Sequence, residues 1–270
     1  MSRAAALVAD TRGVARRRLP RRWAVPTLAA AALLGAWEAG VRLGVVPAFF
    51  FPAPTAVLGT VLGLAADGTL LPHLGATLAR TAAGSVLGCL PAALLGLVMG
   101  WSSRVREAVD PLVAALHPLP KIALLPLLMV IFGIGETSRV AAVAIGAFFP
   151  MLLATVTAVR QISPQHFEVV RTYGASRLQV LTRVVLPGSL PVMLTGLRLA
   201  LNVALLITIA VELVTARRGL GNLIWMGWET MRTEHLYAGL VVIAGLGVLL
   251  NGVLGALSRW LVPWQARGDA

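Results

Sequence analysis

The sequence predicts an all-α integral membrane protein, a six-span helical bundle. Three observations carry that expectation. Hydrophobic residues fill 58% of the 270 positions and charged residues only 13%, with a mean hydropathy of +0.84. A soluble domain runs near about 25% charged, so the chain is too apolar for a single soluble core. Long charge-free runs recur, from Thr81 to Ser103 and from Val140 to Val159, and each is long enough to cross a bilayer. The basic excess of +12 is nearly all arginine, with Lys121 the single lysine. The same hydrophobicity excludes intrinsic disorder. One cysteine, Cys89, excludes a disulfide scaffold and reads as a small buried hydrophobe.

The elements follow in order. Residues 1–22 form a basic tail with seven arginines, and an apolar run follows over about 23–43. That run reads as an uncleaved signal anchor, with Glu38 and Arg42 paired at i,i+4. Residues 44–72 hold Pro47, Pro52, Pro54 and Pro72, too many for a straight span. They read as a loop plus a short helix from Pro54 to about Ala66. Span two covers about 76–101, and a short charged loop follows over 102–110. Span three, about 111–133, contains Pro111, Pro118, Pro120, Lys121 and Pro126. It must be a broken helix, tolerated only where neighbours or a cavity satisfy the freed backbone groups. Span four runs over about 139–159, span five over about 193–214, and a loop of about 20 residues leads to span six, about 238–261. No simple repeat period is present, which excludes solenoids and propellers.

Six spans put both termini on one side. Fifteen of the 22 arginines fall in that side's segments, six on the other, and Arg198 lies within span five. The positive-inside rule makes the arginine-rich side cytoplasmic. The charge is therefore topological, and no nucleic-acid partner is expected. The lone lysine follows a proline, so there is no Walker A motif, and any ATP that drives this chain is bound by another polypeptide. The four histidines are scattered, so no metal site is expected. No nucleophile–base set is apparent, so no catalytic residue is expected and the chain is read as a non-enzyme.

The insert 160–191 is the most informative stretch. Ser163-Pro164 opens a helix that runs to about Tyr173, and Gly174 stops it. A second helix starts near Ala175 or Ser176 and ends before Pro187. This is a helix–Gly–helix elbow between two spans. Its spacing resembles the EAA loop of ATP-binding-cassette (ABC) importer permeases. Glu168 is followed by Gly174 at plus six, Val184 at plus sixteen, Leu186 at plus eighteen and Pro187 at plus nineteen. Val169 and Val170 replace the family's two alanines, and Val184 its isoleucine. Pro118-Leu-Pro-Lys-Ile-Ala-Leu-Leu-Pro, Phe132-Gly-Ile-Gly-Glu136, Glu212 with Gly219-Leu-Gly221, and Phe51-Pro-Ala-Pro-Thr55 are similar to permeases of the nitrate/sulfonate/taurine binding-protein-dependent group. The resemblance covers about residues 50–262.

The resemblance implies a type I importer permease in a bacterial cytoplasmic (inner) membrane, with residues 23–262 as the permease domain and 263–270 as a cytoplasmic tail. It implies ABC ATPase subunits that bind ATP and Mg, an extracytoplasmic substrate-binding protein and a second permease copy, preferably forming a homodimer. It implies no cofactor in this chain. The ATPase-coupling residues would be Glu168, Arg171, Thr172, Tyr173, Gly174, Ala175, Ser176, Leu186 and Pro187, with Pro187 ending the second helix and aiming the chain into span five. Lys121, Asn202 and Glu212 are the candidates for a translocation pathway or gate. Lys121 meets an anion in the broken span or snorkels to the interface; Glu212 braces the outer loop or gate. The implied cargo is a small anion of the aliphatic sulfonate, taurine or nitrate class, the alternative being a thiamine-pyrimidine precursor or other small organic solute. A stand-alone secondary transporter is the further alternative. Trp225, Trp228 and Tyr237 read as an interfacial belt.

Overall fold

The structure, a computed structural model, describes residues 21–264, and all regular structure in that range is helical. The expected basic tail lies almost wholly outside the described residues, as does most of the short C-terminal tail. The chain divides into two compact units, one ending at Thr60 and the other starting at Val61.

In the first unit, α1 (Arg21–Arg42) is a 22-residue helix with Pro26 inside it. The expected pair forms: Arg42 Nε donates to Glu38 Oε1 at 2.6 Å. Glu38 also accepts the Thr55 backbone N–H at 3.0 Å and the Thr55 hydroxyl at 2.8 Å. It thereby satisfies a donor that the start of α2 (Pro54–Ala66) would otherwise leave free. The bounds of α2 are those expected from the sequence.

The second unit is built on three long helices, α3 (Leu70–Trp101), α6 (Glu136–Arg160) and α9 (Leu186–Thr215). Between α3 and α6 the chain makes α4 (Ser103–Leu116), a 3-10 turn (Lys121–Leu124) and α5 (Leu125–Phe132). The helices α10 (Leu220–Glu229) and α11 (Thr233–Leu261) close the chain. Among the described residues, four helical stretches are long and apolar enough to cross a membrane: Leu70–Trp101, Glu136–Arg160, Arg177–Thr215 and Thr233–Leu261. The pair Ser103–Leu116 and Lys121–Phe132, bent by 86°, supplies a fifth if it counts as one span. This bent pair, a broken span or a re-entrant loop, occupies the stretch where the broken third span is expected.

Close approach of backbones sets the core. Gly84, Gly88, Ala92, Gly96 and Gly100 recur every four residues along one stripe of α3. A Cβ at Gly84 would lie 2.6 Å from the Val143 Cβ, one at Gly96 2.6 Å from the Thr155 Cβ, and one at Gly100 2.5 Å from the Val159 Cβ. The rising order of both sets of residues makes α3 and α6 run parallel. Small residues at such a seam let dispersion replace the hydrophobic drive that lipid does not supply. Across the other face of α6, Gly146 meets Ile207 and Gly196 meets Ala154, so α9 runs antiparallel to both. The main core cluster, with Ala92, Met99, Ala147, Leu152, Ala200 and Ala204, sits where the three meet.

Three expectations are corrected. The charged stretch 102–110 is not a loop. Ser102 caps α4, its hydroxyl accepting from the Val105 N–H, and Val105, Val109 and Val113 turn toward the core at i, i+4 and i+8. Arg104, Glu107 and Asp110 stay exposed. The loop after span five is not irregular either, since α10 forms there with Leu220, Leu223 and Gly227 buried. Finally, Pro187 does not end a helix. Helix runs unbroken from Arg177 to Thr215. Just before Pro187, residues Leu181–Val185 widen into a π-turn, and the Leu186 N–H bonds the Leu181 carbonyl, five residues back. A proline ring clashes with the carbonyl four residues earlier; one wide turn relieves that clash without a break.

Candidate coupling elbow and buried charge network

The elbow is made by local chemistry. The helix α7 (Pro164–Thr172) starts with proline at its first position. Gly174 follows at φ +70°, and the Ala175 N–H bonds the Val170 carbonyl at 3.1 Å, the reach-back of a Schellman stop. Ser176 then caps α8 (Arg177–Val180) in a capping box: its hydroxyl accepts the Gln179 N–H, and Gln179 Oε1 accepts the Ser176 N–H at 2.8 Å. Gly174 has open space where a Cβ would go. Gly174→Ala is therefore expected to add only backbone strain, about 1–2 kcal/mol, read as a small drop in thermal midpoint with no change in oligomeric behaviour.

The elbow is anchored at one end of the core. Val159, Val180 and Val185 form a buried cluster, with Leu97, Phe167 and Val170 packed against it. Glu168, Thr172, Tyr173, Gly174 and Ser176 face outward, Ala175 is half-buried, and the Arg171 side chain lies outside the described set. Tyr173 is 86% exposed, and Val169 and Leu178 are also exposed. Leu186 is exposed and Pro187 half-buried at the start of α9.

The opposite end of the core holds a network that the sequence reading did not assemble. Glu212, fully buried, accepts from Arg80 Nη1 at 2.7 Å, from the Thr77 hydroxyl at 2.9 Å and from the Gly221 N–H at 3.0 Å. Arg80 also grips Glu136 with two bonds, 2.6 Å from Nε and 2.8 Å from Nη2, and donates to the Arg218 carbonyl at 2.6 Å. Arg139 donates to Glu136 at 2.7 Å and to the Thr215 hydroxyl at 3.1 Å. Two arginines and two glutamates thus form a neutral quartet joining α3, α6 and α9. Planar guanidinium forks suit such bidentate, buried pairing. Gly219, at φ +142°, turns the chain tightly over the Glu212 carboxylate, and a Cβ there would collide with it. His73 Nδ1 lies 2.8 Å from the Gly219 carbonyl oxygen. The expectation that Glu212 braces the loop after span five matches this geometry. Its partners were not seen, because Arg80, Glu136 and Thr77 are remote in sequence. The available signal was the cost of any charge at a span end.

The other two pathway candidates are placed differently. Asn202 accepts from Asn251 Nδ2 at 3.1 Å, an interhelical bond from α11 to α9. Lys121 sits at the break of the third span, donates to the His117 carbonyl and lies 4.8 Å from the centre of the Phe149 ring. It lines a largely apolar pocket of about 410 Å³ with Phe148, Phe149 and Leu124. The structure brings none of Lys121, Asn202 and Glu212 together. Trp225 and Trp228 are in contact, 4.8 Å between ring centres, and both are exposed on α10, while Tyr237 lies on α11.

With this geometry in view, comparison with known proteins defines the class. The family described as binding-protein-dependent transport system inner membrane component matches residues 84–267, and the chain belongs to it. The chain is 37% identical to the taurine transport system permease protein TauC of Escherichia coli K12, over 92% of this chain and 94% of that protein. It is 32% identical to the permease SsuC of Bacillus subtilis 168, a protein named for aliphatic sulfonate transport, over 90% and 88%. The inward-facing MetNI methionine ABC transporter shares the fold, with a TM-score of 0.63 at 23% identity, over 71% of this chain and 95% of that one.

Proposed function

We propose that this chain is the pore-forming permease of an ATP-driven importer for a small anionic solute of the sulfonate, taurine or nitrate class. Its likeness to TauC over nearly the whole length of both chains is the observation that carries the reading. In this reading α1 is the sixth crossing, both termini are cytoplasmic, and the elbow faces the cytoplasm while the charge quartet lies at the outer end. A substrate-binding protein delivers cargo there, and a second copy of the chain completes the pore.

The elbow docks on the ATPase subunit, which binds ATP and Mg. The geometry supports this role: exposed Val169, Tyr173 and Leu178 offer apolar contact on an otherwise polar insert. Buried Val180 and Val185 tie the same unit to α3 and α6, so closure of the ATPases can move the spans as a rigid body. Glu168 offers a charge to a basic group on the ATPase. Lys121 is the cation in the pathway, beside the apolar pocket at the broken span.

The test is co-purification of the ATPase with the detergent-solubilised chain. Wild type is expected to bring the ATPase down. A variant with residues 164–178 replaced by a Gly/Ser linker is expected to lose it, and Gly174→Pro, which cannot hold a positive φ, to lose most of it. ATPase retained by the linker variant would refute the coupling assignment.

A further inference from the structure

Beside the neutral quartet lies an open pocket of about 650 Å³, lined by Arg80, Glu136, Arg139, Thr215, Arg217 and Arg218 among others. Its charges do not cancel. Arg80 and Arg139 are spent on the two glutamates and on Thr215. Arg217 and Arg218 are exposed, and among the described residues neither has an ion pair. Both project from the short connection between α9 and α10, whose backbone is held down by Arg80 at the Arg218 carbonyl and by His73 at Gly219. Two uncompensated guanidinium groups therefore stand on a braced loop over a concave wall. The first turn of α6 opens into the same pocket at Gly135 and Glu136, adding the positive end of a helix dipole.

We propose that this pocket is a binding site for one small organic oxyanion, bound through Arg217 and Arg218, with the quartet as its rigid floor. The inference rests on the permease reading above and deepens it: the pocket is the first station of the anionic cargo at the outer end. Guanidinium forks match the oxygens of a sulfonate or carboxylate head. Because the two arginines are exposed and unpaired, binding is weak and salt-sensitive, as a site that must release its cargo requires.

The test measures equilibrium binding of radiolabelled taurine to the full chain in lipid nanodiscs at low ionic strength, without the binding protein. Ethanesulfonate, which keeps the sulfonate and lacks the ammonium, is the competitor. Saturable binding displaced by ethanesulfonate is expected. The double variant Arg217→Gln/Arg218→Gln should weaken it at least about tenfold, while Arg232→Gln, an exposed arginine on the same side outside the pocket, should leave it within about twofold. No saturable binding up to about 100 mM, far weaker than the weakest useful site, overturns the proposal. So does equal affinity in wild type and double variant. If the double variant keeps taurine but no longer docks the substrate-binding protein, the arginines are a protein-docking surface instead. ATPase co-purification with the same nanodisc preparation separates the two readings. Retained ATPase with unchanged taurine affinity sinks the oxyanion site alone, and lost ATPase sinks the importer reading.

Discussion

Glu212→Ala is expected to destabilise the protein by about 3–5 kcal/mol, the usual cost of removing one partner from a buried ion pair. The carboxylate is fully buried and receives Arg80, Thr77 and the Gly221 N–H. Without it, the buried Arg80 keeps only the Arg218 carbonyl and Glu136, whose side chain is 59% exposed, and the Gly221 N–H loses its acceptor. Glu212→Gln keeps the volume and one carbonyl acceptor but turns an amide N–H₂ toward other donors, so a loss smaller by about half is expected. Glu136→Gln should cost less than Glu212→Ala, because water reaches that carboxylate and replaces part of the interaction. Cys89 supplies the readout. It is the only cysteine and it is buried, so a thiol-reactive fluorophore reports global unfolding in detergent. Arg80→Ala/Glu212→Ala should cost clearly less than the sum of the single changes. A shift below about 1 kcal/mol for Glu212→Ala, within the range of ordinary surface changes, would mean that the quartet does not hold the three helices together.

What the sequence made legible was local. The elbow could be read because a proline opening at Pro164, a glycine stop at Gly174 and a new start near Ser176 each act through local chemistry, and the structure has a helix beginning at Pro164, a positive φ at Gly174 and a cap at Ser176. The Glu38–Arg42 pair could be read for the same reason. Pro187 was misread by the same kind of local rule: proline was taken as a stop, while a π-turn beside it lets the helix continue. The α4 and α10 helices were hidden because charge and glycine there look like loop chemistry, and only burial of one face makes them helices. The quartet was illegible for a different reason. Arg80 lies 56 residues from Glu136 and 132 from Glu212, and no spacing rule relates them. The glycine stripe of α3 lies between these cases. Its period of four is plain in the sequence, but which helix it meets is settled only by packing.

That stripe carries the second large effect. Gly88→Leu is expected to cost more than about 3 kcal/mol, above the usual range for overpacking, and to leave little monodisperse protein. A Cβ at Gly88 falls on the carbonyl oxygen of Ala144, with the Ala144 Cα only 3.1 Å away. These are backbone atoms of α6, which cannot swing aside as a side chain can, so the helices must separate. Separation forfeits the dispersion contacts along the whole seam from Gly84 to Gly100, and in lipid no hydrophobic drive makes up the loss. Gly75→Leu is the matched control: the same substitution on the same helix, where a Cβ meets nothing within 4 Å. It should be recovered like wild type. The contrast also bears on function. One end of this seam carries Arg80 and Glu136, and the other end supports the elbow through Leu97 and Val159. If the two helices move as one body, a weaker wedge such as Gly88→Ala should lower ATP-driven uptake more than it lowers ATPase assembly. If Gly88→Leu and Gly75→Leu were recovered and melted alike, the close parallel packing of α3 and α6 would be wrong, and with it the mechanical link between the elbow and the charged end.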